Sequence, residues 1–155
     1  MPKRSKPRSR RIVWSGVVLL ASETNTAVSG LIWGGVPGRL IDAAAAGKAI
    51  IIGSVPPLDE LQGVLSRRRF SDQLAKRGAN ADDLFDGYAA LVRLVTPSAI
   101  GPVILADPDD DIVLATAVAG DAEAIVSGDA HLLGIGEFRG IPIITPAVAV
   151  NQLGP

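Results

Sequence analysis

The sequence predicts an α/β fold, with a central, mainly parallel sheet covered by helices on both faces. Three observations point that way. Short apolar runs of strand length recur along the chain, and stretches with apolar residues at i, i+3, i+4 spacing lie between them. No internal repeat or linker divides the body. Strands alternating with helices make βαβ units, whose crossovers set the strands parallel and bury the sheet on both sides.

Taken in order, residues 1–11 (MPKRSKPRSRR) hold six basic side chains, two prolines and no acid. This basic arm cannot join a core and is expected to be disordered. VVLLA (17–21) is the first strand, and RLIDAAAAG (39–47) is a helix stopped by Gly47. AIIIG (49–53) is the next strand. Pro56-Pro57 then start a helix that runs through LDELQGVLSRRRF (58–70). ADDLFDGYAALVRL (81–94) is helical, and LVRLVT (91–96) mixes its end with extended character. PVIL (102–105) reads as extended, and DIVLATAVAG (111–120) as a helix stopped by Gly120. AEAIVS (122–127) and IPIIT (141–145) are strands, and Pro146 opens a last helix. The chain thus divides into an arm, 1–11, and a single domain, 12–155.

The 155 residues carry 15 Lys+Arg, 16 Asp+Glu, one His and no Cys. Without Cys there can be no disulfides, thiolate zinc sites, iron–sulfur clusters or cysteine nucleophiles. The single His131 excludes multi-histidine metal sites, and it reads as a surface or cap-side residue. The net charge of −1 hides an arm of +6 before a body with 9 basic and 16 acidic side chains, a balance of −7. Arg10-Arg11 before an apolar stretch resemble a leader, but Ser15-Gly16 interrupt the run, and no segment approaches the ~18 apolar residues of a membrane span. The expectation is a cytoplasmic protein with no membrane association.

In open parallel sheets, sites form in the crevice outside the carboxyl ends of the strands. Strand 17–21 is followed by Ser22-Glu23-Thr24-Asn25. Strand 49–53 leads into a helix carrying Asp59 and Glu60, segment 102–105 runs into ADPDDD (106–111), and strand 122–127 ends at Ser127-Gly128-Asp129. Each of these ends delivers a carboxylate. Carboxylates packed together repel one another unless a cation shares their site. Oxygen-only donors suit Mg²⁺ or Mn²⁺, which can activate water and stabilise charge on a phosphodiester. Each residue also has a structural reading. Asp111 and Asp129 fit helix N-caps, and Thr24, Asn25 and Ser127 are ordinary turn residues. Arg67, Arg68 and Arg69 suit a helix C-terminus, and Trp14 and Trp33 are expected to pack rather than stack on bases. The coincidence of all four acids carries the argument.

These residues resemble the PIN-domain family, particularly the VapC-like toxin components of prokaryotic toxin–antitoxin pairs. The matching stretches are ETNTAVSGLIWGG (23–35), PPLDELQGVLSRRRF (56–70), DPDDDIVLATAVAG (107–120), SGDAHLL (127–133) and GIPIITPA (140–147). The resemblance implies a three-layer α/β/α sandwich and a Mg²⁺- or Mn²⁺-dependent endoribonuclease. It further implies a homodimer, silenced by a cognate antitoxin. Carried over by position, the family's acids fall on Glu23, Glu60, Asp111 and Asp129, with Asp107 in reserve. Glu23, Asp111 and Asp129 would hold metal, Asn25 and Ser127 would support it, and Arg39, Arg67, Arg68 and Arg69 would draw in RNA. The family's first acid is normally Asp, and Glu23 is one methylene longer. The alternative is therefore a catalytically weakened PIN-like domain that binds a partner or RNA. A phosphoacceptor receiver domain also gathers acids at strand ends, but it uses a Lys after its last strand, and IPIITPA has none there.

Overall fold

The computed structural model describes residues 18–101 and 108–154. The basic arm, Trp14, the strand expected over 102–105 and Asp107 lie outside the described residues. The elements run β1 (Val18–Ser22), α1 (Thr24–Trp33), α2 (Gly35–Ala45), β2 (Ala49–Gly53), α3 (Val55–Leu65), α4 (Arg68–Ala75), α5 (Ala81–Leu91) and β3 (Val92–Leu94). They continue with α6 (Pro108–Ala119), β4 (Ala124–Val126), α7 (Ala130–Ile135), β5 (Glu137–Phe138), β6 (Ile141–Ile144) and α8 (Pro146–Leu153).

The strands form a six-stranded sheet in the order β3-β2-β1-β4-β6-β5. All pairings are parallel except the short edge hairpin of β5 with β6. Central β1 aligns Ala21 with Ile52 of β2 on one side and with Ile125 of β4 on the other. The period-2 alternation of strand side chains divides the core. Ala21, Ile52, Ile125 and Ile143 meet α6 and α7 through Leu114 and Leu132. Val18, Leu20, Ala49, Ala124 and Val126 point the other way, onto Leu40 of α2 and Ala149 of α8. Beside them, Ile51 packs with residues of α1, α3, α4 and α5. Helices therefore cover both faces, which makes the α/β/α sandwich. Burying one such Ile is worth about 1.5–3 kcal/mol.

Three local expectations change. Thr24 and Asn25 are not turn residues but the first turn of α1. The helix expected over 58–70 is two helices, because Ser66 is the C-cap of α3 and the chain turns extended at Arg67 (φ −63°, ψ 138°) before α4. Arg67 is then the N-cap of α4, so Arg67, Arg68 and Arg69 sit at a helix start rather than a helix end. Trp33 does not pack but is 60% exposed, at a corner where Gly34, with φ of +72°, both ends α1 and begins α2. A side chain at that φ would be strained.

Candidate active site

The chain leaves β1 toward β2 and returns from β3 to β4 on the opposite side of β1. The β1/β4 boundary is therefore the point where the strand order reverses, and the carboxyl ends of those two strands flank a crevice. Glu23 follows β1, and Ser127-Gly128-Asp129 follow β4. The Glu23 amide donates to the Val126 carbonyl at 3.4 Å, which joins the two strand ends. α6 packs across β1, β2 and β4 and brings its first turn to the same place.

Glu23 is 7% exposed. Its Oε1 accepts the Gly128 amide at 3.1 Å and the Thr26 hydroxyl at 3.4 Å. The longer side chain thus reaches across the crevice to the β4 loop, and one of its oxygens is held there. Burial raises the Glu23 carboxyl above the usual range. The Gly128 amide and the Ser127 hydroxyl pull it back, the Asp129 charge pushes it up, and Thr26 again lowers it.

A cleft of about 100 Å³ opens beside Glu23, lined also by Asn25, Pro57, Glu60, Asp110 and Val113. Glu60 is exposed, one turn beyond Pro57 on α3. On its other side Glu23 borders a shallower depression that includes Asn25, Gly128 and Asp129. Asp129 is the N-cap of α7 and accepts the Leu132 amide at 3.0 Å. Ser127 is fully buried, and its Oγ accepts the Asp129 amide at 2.9 Å, which fixes the turn that presents Asp129. The supporting position expected for Ser127 thus contacts both Glu23 and Asp129.

The acid that α6 contributes to the cleft is Asp110, 6% exposed, and not Asp111, which is half-buried and outside the lining. Buried Val113, Leu114 and Ala117 form the inward stripe of α6. Asp110 continues that stripe at i−3, i−4 and i−7, whereas Asp111 is turned ~100° away. α6 begins at Pro108, so Asp111 is inside the helix rather than at its cap. One donor atom each of Asp110, Asp129 and His131 lie within 4.8 Å of one another. His131, read from the sequence as a surface or cap-side residue, is 65% exposed in the first turn of α7, next to the Asp129 cap.

Of the arginines, Arg39 lies away from the cleft. It lines a different depression with Asp42, Lys48 and Leu153, near the amino end of β2. Arg67, Arg68 and Arg69 are exposed at the start of α4, beyond the far end of α3 from the cleft. No helix among the described residues is long and apolar enough to cross a membrane.

The model of the PIN domain family matches residues 20–131, from β1 into α7, a span that contains Glu23, Glu60, Asp110 and Asp129. The chain belongs to the PIN-domain family. Members of this family are in general nucleases. The fold is also similar to a chain in the crystal structure of VapBC2 from Rickettsia felis bound to a DNA fragment from their promoter. The TM-score is 0.57 at 16% identity, over 83% of this chain and 98% of that chain. No curated protein matches this chain.

PIN nucleases generally use divalent metals, and the donor set here fits one. Glu23 and Asp110 are buried carboxylates at one cleft, and the Asp110 and Asp129 donors come within 4.8 Å. Without a cation such a group is self-repelling. With one, hard oxygen donors match Mg²⁺ or Mn²⁺.

Proposed function

We propose that this PIN-domain protein is a Mg²⁺- or Mn²⁺-dependent endoribonuclease and the toxin of a toxin–antitoxin pair. The observation that carries the reading is that Glu23, Glu60 and Asp110 line one cleft at the carboxyl ends of the strands, while Asp129, on the other side of Glu23, has a donor oxygen within 4.8 Å of one on Asp110. Glu23, Asp110 and Asp129 would hold the cation, with Asn25 at the rim and Ser127 beneath them. A bound divalent cation supplies positive charge that lowers the pKa of water and offsets charge developing on the phosphate.

The chain's own residues do the rest. Asp110 and Glu23, fixed by helix packing and by the Gly128 amide, hold their carboxylates in place before substrate arrives. In hydrolysis the water oxygen bonds to phosphorus, the bond to the leaving oxygen breaks, and that oxygen takes a proton from solvent. The Glu60 carboxylate, which is exposed and lines the cleft, would take the proton that the attacking water releases. Arg67, Arg68 and Arg69 are the cations assigned to the RNA backbone.

The partners belong to the same reading: single-stranded RNA as substrate, a cognate antitoxin as inhibitor, and a second copy of the chain as a homodimer. The VapBC2 complex supports an antitoxin partner through fold likeness. The test is cleavage of single-stranded RNA with Mg²⁺ or Mn²⁺, abolished by EDTA and by Asp110→Asn. Unchanged cleavage in the variant overturns the assignment.

One observation favours a second reading, a weakened nuclease that acts by binding. Oε1 of Glu23 is already engaged by Gly128 and Thr26. A large gain of cleavage in Glu23→Asp over a near-silent parent supports that reading, and a loss supports the first.

A further inference from the structure

We infer that His131 is a nitrogen ligand of the cation held at this site, and that it moves the site's preference from Mg²⁺ toward Mn²⁺ and the later transition-metal dications. The inference rests on the metal-site reading above and adds a donor of different chemistry to it. His131 is the second residue of α7, two positions after Asp129. Its Nδ1 is 4.0 Å from Asp129 Oδ2, and its ring nitrogen lies within 4.8 Å of the donor oxygens of both Asp110 and Asp129.

Ligands on opposite sides of a six-coordinate cation with bonds of ~2.0–2.1 Å stand about 4 Å apart. Only one pair of three donors can be opposite, and adjacent donors stand about 3 Å apart, so these three need to close by up to about 2 Å to share one ion. His131 is 65% exposed, so its ring can swing that far without disturbing the core. Asp110 is fixed by α6, and Asp129 by the Ser127 and Leu132 contacts, so the imidazole is the member free to adjust.

The chemical consequence follows from donor type. Carboxylates and water suit Mg²⁺, whereas imidazole suits transition metals, whose affinity rises from Mn²⁺ toward Cu²⁺. With Glu23, Asp110 and Asp129 alone the site is all-oxygen. Adding His131 leaves Mg²⁺ little changed and favours Mn²⁺, Co²⁺ or Ni²⁺. The competing role for His131, an exposed side chain beside Asp129, adds no bond to a metal.

The chain has one His and no Cys. Any imidazole nitrogen bound to a metal in the tag-free protein is therefore His131. The experiment is pulsed EPR of the tag-free protein with Mn²⁺, together with calorimetric titration of Co²⁺ and Mg²⁺ into the parent, His131→Ala and Asp110→Asn. The expected result is a ¹⁴N imidazole coupling in the parent that His131→Ala abolishes. Co²⁺ affinity should fall about tenfold in His131→Ala, the lower end of what loss of a metal-tuning contact costs, with Mg²⁺ affinity within about twofold. Mn²⁺ bound without a nitrogen coupling, or Co²⁺ and Mg²⁺ weakened equally, overturns the His131 assignment while the carboxylate site stands. If neither ion binds the parent and Asp110→Asn changes nothing, the metal-site reading fails and the inference with it.

Discussion

The Ser54 and Thr116 hydroxyl oxygens lie 2.9 Å apart in the interior, both nearly inaccessible to solvent. Thr116 donates its proton to the Ile112 carbonyl one turn back, so Ser54 is the donor into Thr116. Ser54 is the N-cap residue of α3, the helix of Glu60, and Thr116 is on α6, the helix of Asp110. One buried bond thus ties together the two helices that line the cleft. Thr116→Val keeps the shape and strands the Ser54 proton, at a cost of about 1–3 kcal/mol. The double variant Ser54→Ala/Thr116→Val should be less destabilised than Thr116→Val alone, because no buried donor is left unmatched. Urea denaturation of the four proteins measures the coupling, and additive losses would refute it.

Asp110 and Asp111 are neighbours in sequence but not on the helix surface. Asp110→Asn is expected to lower metal-dependent cleavage more than about 100-fold, beyond what loss of an outer contact to a metal costs. Asp111→Asn should remain within about threefold of the parent, since Asp111 does not line the cleft. Single-turnover rates on one RNA oligonucleotide compare them, and the reverse ranking would restore Asp111 to the site.

That pair shows how far the sequence was legible. The ends of β1, β2 and β4 and the acids that follow them could be read, because apolar runs such as AIIIG have strand length and a parallel sheet sends its sites to one edge. The β2 bounds, 49–53, came out as expected for the same reason. Choosing among Asp107, Asp109, Asp110 and Asp111 needed the helix phase. The stripe Val113, Leu114, Ala117 carries that phase and, extended back one turn, lands on Asp110. The helix over 24–33 was hidden because Thr24-Asn25-Thr26 are turn formers that the packing of Ala27, Val28 and Ile32 overrides. Nothing local could reveal that Glu23 reaches Gly128, a contact between residues 105 positions apart.

Burial holds the Glu23 carboxyl above its unfolded value, so in metal-free protein the folded state binds that proton more readily than the unfolded chain. The stability this contributes is complete below the unfolded pKa and is lost as pH rises through the folded one. Glu23→Gln keeps a carbonyl for the Gly128 amide and removes the buried charge. In EDTA at pH 7 the variant should melt above the parent, because it no longer has a carboxylate to bury. The gap should close as pH falls below the ordinary Glu range. Excess Mn²⁺ should reverse the order, stabilising the parent and not the variant. Melting curves across pH, with and without the ion, check both signs.

The arginines at the start of α4 are not equivalent. The Arg69 guanidinium stacks over the Phe70 ring at 4.5 Å, an arrangement that already stabilises its charge. Arg67, at the N-cap, and Arg68 are exposed and have no such ring contact among the described residues. If this end of the molecule holds the RNA backbone, Arg67→Ala/Arg68→Ala should raise KM, leave kcat within about twofold, and flatten the salt dependence of binding. Each lost phosphate contact on a single strand reduces the log–log slope by about 0.7, so the double variant should lose about 1.4. Arg69→Ala should change the slope less, and Arg39→Ala not at all, because Arg39 lies at the other depression. Fluorescence anisotropy with a single-stranded RNA at several salt concentrations supplies the slopes, and an unchanged slope in the Arg67/Arg68 variant would remove the α4 start from the RNA path.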